Sequence, residues 1–134
     1  MAKKVRTVLE WARSLVLRPD LGARGESVAA RELKRRGYEI LERRWRCRIG
    51  EIDIVARDGE TLVIVEVKAR ARADFGAPVN AVNREKRRRL ERLARAYLKA
   101  RRLQDVMVRF DAVGVTFLPD QSPRIEVYPN IGPF

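Results

Sequence analysis

The chain has 134 residues, with 30 Lys and Arg against 18 Asp and Glu, a formal net charge of +12 and a pI near 10.9. One cysteine, Cys47, and no histidine exclude an internal disulfide framework, zinc sites of the Cys/His kind and histidine-based triads. Any metal chemistry must therefore run on carboxylates, which suit hard cations such as Mg²⁺ or Mn²⁺.

The length suits one domain with its own core, and an apolar content of 46% is that of a folded chain. The surplus points to a polyanionic partner or an acidic membrane surface; ion-pair decoration explains many charges but not their imbalance, so a polyanion is favoured. No run approaches the roughly 18 apolar residues of a membrane span. Arg6, Glu10 and Arg13 interrupt any signal-peptide core. The single cysteine suits a reducing cytosol, so a cytoplasmic protein without integral membrane association is expected.

Val5, Val8, Trp11, Ala12, Leu15 and Val16 recur at helical spacing and predict an N-terminal helix ended by Arg18-Pro19-Asp20. An accessory helix over residues 1–21 is favoured over one lying on a membrane surface. The main domain is placed at residues 22–134. It opens with a helix from Gly22 to Arg36, closed by Gly37. Ala29, Ala30 and Leu33 mark its inner face, and Glu26 falls on the same stripe in the first turn. Glu26 is either an acid favoured by the helix dipole or a functional carboxylate.

Tyr38 to Trp45 predicts the first strand, and Arg43, Arg44, Arg46 and Arg48 crowd its end. Gly50 to Arg70 then reads as a hairpin about Asp58-Gly59, a strong two-residue turn signal. With Arg57 opposite Glu60, Asp53 lies opposite Ile64, and Glu66 is its diagonal neighbour on one face. Diagonal Cβ atoms are roughly 7–8 Å apart, within reach of a shared divalent cation. Lys68 shares that face, because side chains alternate along a strand. A three-residue loop would flip Asp53 to the other side. Val63, Val65 and Val67, with Ile52 and Ile54 beside them, form one apolar face, and Val55, Leu62 and Ile64 the other. Two apolar faces predict a hairpin covered on both sides. Charged residues in such a place are costly unless paired, metal-bound or catalytic.

Ala69 to Pro78 reads as a loop carrying Arg70 and Arg72. A long helix capped by Asn80 or Asn83 should run to about Arg102, with Val82, Leu90, Leu93 and Tyr97 on its apolar stripe and Lys86 intruding. For most arginines of that helix a solvated face suffices, although a passing nucleic acid would meet their field. Val106 to Val115 and Arg124 to Tyr128 complete the strands. Asp111, between Phe110 and Ala112, reads as the partner of an arginine in an ion pair, ahead of any role in a site. A helix between the third and fourth strands implies a crossover joining parallel neighbours, hence an α/β fold with a mixed sheet and helices on both faces.

The segments GESVAARELKRRGYEIL, WRCRIGEIDIVARDG, LVIVEVKAR, FGAP with Val82 and Lys86, and RFDAVGV resemble the YraN-like family of small bacterial proteins. The resemblance covers about Gly22 to Val115. It implies the restriction-endonuclease-like fold with an αβββαβ core, kinship with archaeal Holliday-junction resolvases, and the metal-dependent nuclease core written PD-(D/E)xK. On that pattern Asp53 is the aspartate, Glu66 the acid and Lys68 the lysine. Glu26 matches the acidic residue of the first helix, and Lys86 the polar position on the later one. The family usually has Asn where this chain has Arg44, and the core's name expects Pro where Ile52 stands. Junction-cutting relatives pair up, which makes a homodimer one expectation.

The expected function is thus a Mg²⁺- or Mn²⁺-dependent nuclease acting on DNA, on branched or flapped structures. Asp53 and Glu66 would hold metal, with Lys68 and Glu26 catalytic beside them, while Lys86, Arg70, Arg72 and Arg48 meet the nucleic acid. The alternative is a nucleic-acid-binding protein that keeps the fold without cleavage. A basic membrane-surface protein anchored by Val5 to Leu17 is the weakest reading.

Overall fold

Among the described residues, two amphipathic helices and five strands sort themselves so that each helix covers one face of a single sheet. The computed structural model describes residues 20–71 and 84–131. The expectations for the N-terminal helix, Arg72, Val82 and the caps Asn80 and Asn83 lie outside the described residues. In chain order the elements are α1 (Asp20–Arg35), β1 (Glu39–Cys47), β2 (Gly50–Asp58), β3 (Thr61–Arg70), α2 (Arg84–Ala100), β4 (Val108–Thr116) and β5 (Arg124–Tyr128).

The sheet order is β1-β2-β3-β4-β5. Every neighbouring pair is antiparallel except β3 and β4, which run parallel. Parallel neighbours need a long connection, and here it contains α2. This is the mixed α/β sheet that the order of elements implied, and the αβββαβ core is extended by β5.

Helix α1 begins at Asp20, two residues earlier than expected, and closes at Gly37. The Tyr38 N–H donates to Leu33 O at 2.9 Å and the Gly37 N–H to Lys34 O at 2.9 Å, with Gly37 at φ 100°. Such a closure needs a left-handed residue, and glycine takes it without a Cβ clash. Ala29, Ala30 and Leu33 then pack on Ile54, Ala56, Val63, Val65, Val113 and Val115. On the opposite face Leu93, Ala94 and Tyr97 of α2 pack on Ile52, Val55, Leu62 and Ile64.

Two details of the hairpin differ from the sequence reading. Asp58 pairs with Thr61, so the loop is Gly59-Glu60 rather than Asp58-Gly59. Gly59 takes the positive φ, at 63°, as the first loop residue. Asp58 stays in the strand, where its Oδ2 meets Arg109 Nη1 at 3.0 Å. The register therefore moves by two positions, which preserves the face of every side chain. The ladder ends at Ile54↔Val65, and Ile64 pairs with Val55 rather than lying across from Asp53. The second difference is Ile52, which joins the α2-side core while Ile54 joins the α1-side core. Simple alternation is thus broken at Asp53.

Candidate functional site

Helix α1 brings Glu26 to the sheet. The residue shares the stripe of Ala29, Ala30 and Leu33, and only 7% of its surface is exposed. Gly25 beside it allows the approach, because a Cβ there would lie 2.6 Å from the Ala69 Cβ of β3.

Strand β2 brings the next two acids. Recorded pairing between β2 and β3 stops at Ile54↔Val65, and beyond it the Asp53 side chain takes over as acceptor. Its Oδ2 accepts the Val67 N–H at 2.8 Å. Glu51, two residues earlier, turns towards the same place. Glu26, Glu51 and Asp53 each offer a carboxylate oxygen within 4.8 Å of the others. Glu66 of β3 lines the same cavity, which measures about 570 Å³ and is rimmed by Arg44, Arg46 and Arg89.

Three of these four acids have a cation at hand. Arg44 Nε lies 2.7 Å from Glu26 Oε1, Arg46 Nε 3.3 Å from Glu51 Oε1, and Lys86 Nζ 2.7 Å from Glu66 Oε2. Among the described residues no such cation pairs with Asp53. Burial, followed by the charge of Glu66, pushes the Asp53 carboxyl up to about 7, against the Val67 N–H that favours its ionised form. The acid that the sequence placed at the centre is therefore, of these four and among the described residues, the one without an ion pair.

Arg44 reaches Glu26 from an uncommon backbone conformation, φ 53° in the middle of a strand. Asparagine tolerates that region better than most residues.

The other expected site residues are more scattered. Lys68 pairs with Gly114 along the β3–β4 ladder and is exposed, two residues beyond Glu66. Arg48 is exposed in the β1–β2 turn. Arg70 Nε donates to Thr116 Oγ1 at 3.3 Å. Asp111 is fully buried and makes the expected ion pair, accepting Arg109 Nε at 3.0 Å, with further bonds from the Tyr38 hydroxyl and the Asn130 N–H, each at 2.8 Å. Glu51 was not anticipated, although its two-residue spacing from Asp53 in Gly50-Glu51-Ile52-Asp53 was a readable signal. Nothing in the sequence marked Arg89 above the other arginines, and Arg44 stood out only as a departure from the resembled pattern.

Fold and cleft together define an α/β protein with a mixed sheet and a cluster of carboxylates where α1, β2 and β3 meet. The chain belongs to the uncharacterised protein family UPF0102, whose profile matches residues 25–115 and so takes in Glu26, Glu51, Asp53, Glu66, Lys68 and Lys86. A UPF0102 protein of Geobacter sulfurreducens is 49% identical over 110 residues, covering 82% of this chain and 86% of that protein. One from Nocardia farcinica is 46% identical over 106 residues, covering 79% and 84%. Among solved structures the chain is similar to Archaeoglobus fulgidus Hjc, a Holliday junction resolvase from an archaeal hyperthermophile, at 21% identity and a TM-score of 0.43, covering 78% of this chain and 74% of that one. No described helix is long and apolar enough to cross a membrane.

Proposed function

We propose that the protein is a Mg²⁺- or Mn²⁺-dependent nuclease that hydrolyses phosphodiester bonds in DNA, with branched or flapped structures as substrates. One observation carries the proposal: Asp53, half-buried and without an ion pair among the described residues, lines one cleft with Glu66, Glu26 and Glu51 in a strongly basic protein.

The donor set fits a hard divalent cation. Its ligands are all carboxylate oxygens, and the positive charge would offset the repulsion that raises Asp53. Asp53 and Glu66 would hold the ion, with Glu51 and Glu26 adjoining. When bound, the ion supplies polarisation of a phosphoryl oxygen and a water acidic enough to attack at neutral pH.

The chain's own residues prepare that chemistry. Val67 anchors one Asp53 oxygen through its N–H, which leaves the other to the cleft. Lys86 holds the Glu66 carboxylate from α2, and Arg44 holds Glu26. Lys68, exposed on β3, offsets charge as the pentacovalent phosphorus forms or orients the attacking water. Arg48, Arg70, Arg72 and Lys86 meet the phosphates on either side. The same reading places the protein in the cytoplasm and, on a junction with two strands to cut, as a homodimer.

The test is cleavage of plasmid, linear, single-stranded and four-way-junction DNA in the presence of manganese. Asp53→Ala and Glu66→Ala should each lower the rate by about 10³-fold, equivalent to roughly 4 kcal/mol of barrier. The proposal fails if no substrate is cut, or if either variant cuts as well as the parent. A second reading, binding without cleavage, draws on the cations already paired with Glu26, Glu51 and Glu66. It expects salt-sensitive DNA binding that ignores magnesium and Glu66→Gln.

A further inference from the structure

Helix α2 opens with a charge pattern that works against its own stability. Its first nine residues hold six cations, Arg84, Lys86, Arg87, Arg88, Arg89 and Arg92, against Glu85 and Glu91. Cations are disfavoured in the early turns, where the helix dipole is positive. Arg84, Arg88 and Arg92 also follow one another at i,i+4, a like-charge ridge that destabilises a helix by a few tenths of a kcal/mol per pair. All three are exposed. Among the described residues no carboxylate pairs with Arg88, Arg89 or Arg92, whereas Glu91 is taken by Arg95 at 3.7 Å.

The ridge borders a groove. Arg88, Arg89 and Arg92, with Glu85 and Lys86, line a cavity of about 440 Å³. Arg89 lines this groove and the acidic cleft alike. The two are therefore neighbours that share Arg89 as a common wall, the groove mainly cationic and the cleft holding the four carboxylates.

We infer that this groove is a track for the phosphate backbone of the DNA strand whose continuation enters the acidic cleft. The inference rests on the nuclease reading for what happens at the cleft, but the track itself is a binding surface. Its occupant follows from chemistry. Unpaired guanidiniums suit phosphate oxygens, which they grip in bidentate fashion. Guanidiniums that grip phosphate oxygens position a strand without reading its bases. From Arg84 to Arg92 the helix rises about 12 Å, which matches roughly three phosphates of one strand at ~3.4 Å per nucleotide. A carboxylate cluster repels a polyanion, so a strand needs cations immediately beside the cleft to be delivered into it. Arg89 stands at that junction.

The test is fluorescence anisotropy with labelled duplex and four-way-junction DNA, in EDTA, from 50 to 200 mM salt. The groove variants are Arg88→Glu/Arg92→Glu and the milder Arg88→Gln/Arg92→Gln. The control is Arg31→Glu/Lys99→Glu, the same charge change at exposed positions outside the groove. Both groove variants should weaken binding at least about tenfold at mid-range salt and flatten the slope of log K against log salt by about two, while the control keeps the parent slope. Equal effects in groove and control pairs, or none in either, overturn the inference. Manganese-dependent cleavage by the same proteins separates it from the reading it rests on. A parent that cuts, with groove variants that bind and cut equally well, removes the track and leaves the nuclease. Groove-dependent binding with no cleavage by any protein removes the nuclease and leaves the track.

Discussion

Lys86 Nζ stands 2.7 Å from Glu66 Oε2, so the helix covering one face of the sheet supplies the cation for a carboxylate of the third strand. Both side chains are largely withdrawn from water, at 22% and 17% exposure, so the pair is less screened than one on the surface. It sits between the half-buried Asp53 and the basic groove, and either neighbour is affected when it breaks.

Replacing the lysine tests that balance. Lys86→Met should cost the metal-free protein about 2 kcal/mol, since it leaves Glu66 half-buried beside Asp53 without a counter-charge. Manganese should restore more stability to the variant than it adds to the parent, because a divalent cation takes over the lost compensation. Thermal unfolding with and without manganese measures both. Equal manganese gains in the two proteins would show that Lys86 and the cation do not share Glu66.

Asp53 makes stability depend on pH in a particular direction. Its folded-state pKa is raised from 3.8 to about 7, so between those values the folded protein binds more protons than the unfolded chain. Stability from this group is therefore greatest below about pH 4 and falls as pH rises to about 7, by up to roughly 4 kcal/mol. Asp53→Asn keeps an oxygen for the Val67 N–H and removes the titration. Urea unfolding of metal-free protein at pH 5 and pH 8 should show a fall in the parent that is much reduced in Asp53→Asn. An identical pH dependence in both would place the titration elsewhere.

Arg44 combines a left-handed backbone with an ion pair, and two substitutions separate these. Arg44→Asn loses the link to Glu26, worth about 1 kcal/mol or less given the exposure of the arginine, but relaxes the backbone. Arg44→Val loses the link and puts a β-branched residue at φ 53°. The expected outcome is a change within about 1 kcal/mol for Asn and a loss of about 2 kcal/mol for Val, read from urea midpoints. Equal losses would mean that the backbone at this position carries no strain.

Gly25 controls how closely α1 lies on β3. In Gly25→Ala the new Cβ meets Ala69 Cβ at 2.6 Å, so helix or strand must move. The cost should be about 1–3 kcal/mol, the usual range for overpacking. Because Glu26 is the next residue, manganese affinity should fall as well, by calorimetry. In the compensating variant Gly25→Ala/Ala69→Gly, stability and affinity should both recover. Failure of the pair to recover affinity would separate the position of Glu26 from the metal site.

Much of the architecture was legible because it rests on short-range rules. Ala29, Ala30 and Leu33 at helical spacing, Gly37 after them, and Val63 and Val65 alternating with Leu62 and Ile64 needed no knowledge of distant partners. The turn was placed one residue early because Asp58-Gly59 is a strong local signal, while the ion pair to Arg109, some fifty residues away, keeps Asp58 in the strand. The faces of the paired residues from Ile54 to Asp58 survived that error, since a shift of two positions preserves parity. Ile52 could not be placed from sequence. Its switch to the other core accompanies the parting of β2 and β3 beyond Ile54, which strand periodicity does not register.

By itself, then, the sequence determined the order of helices and strands, the basic surplus, and the restriction of any metal chemistry to carboxylates. These follow from composition and from periods of 2 and 3.6 residues, which are properties of a chain and its near neighbours. Only the tertiary structure decided that Glu51 joins Glu26 and Asp53, that Arg44, Arg46 and Lys86 neutralise three acids and leave Asp53 alone, and that Arg89 links a basic groove to the cleft. The reason is physical. Charge compensation depends on distances of a few ångströms between residues far apart in the chain, and those distances exist only once both helices have closed on the sheet.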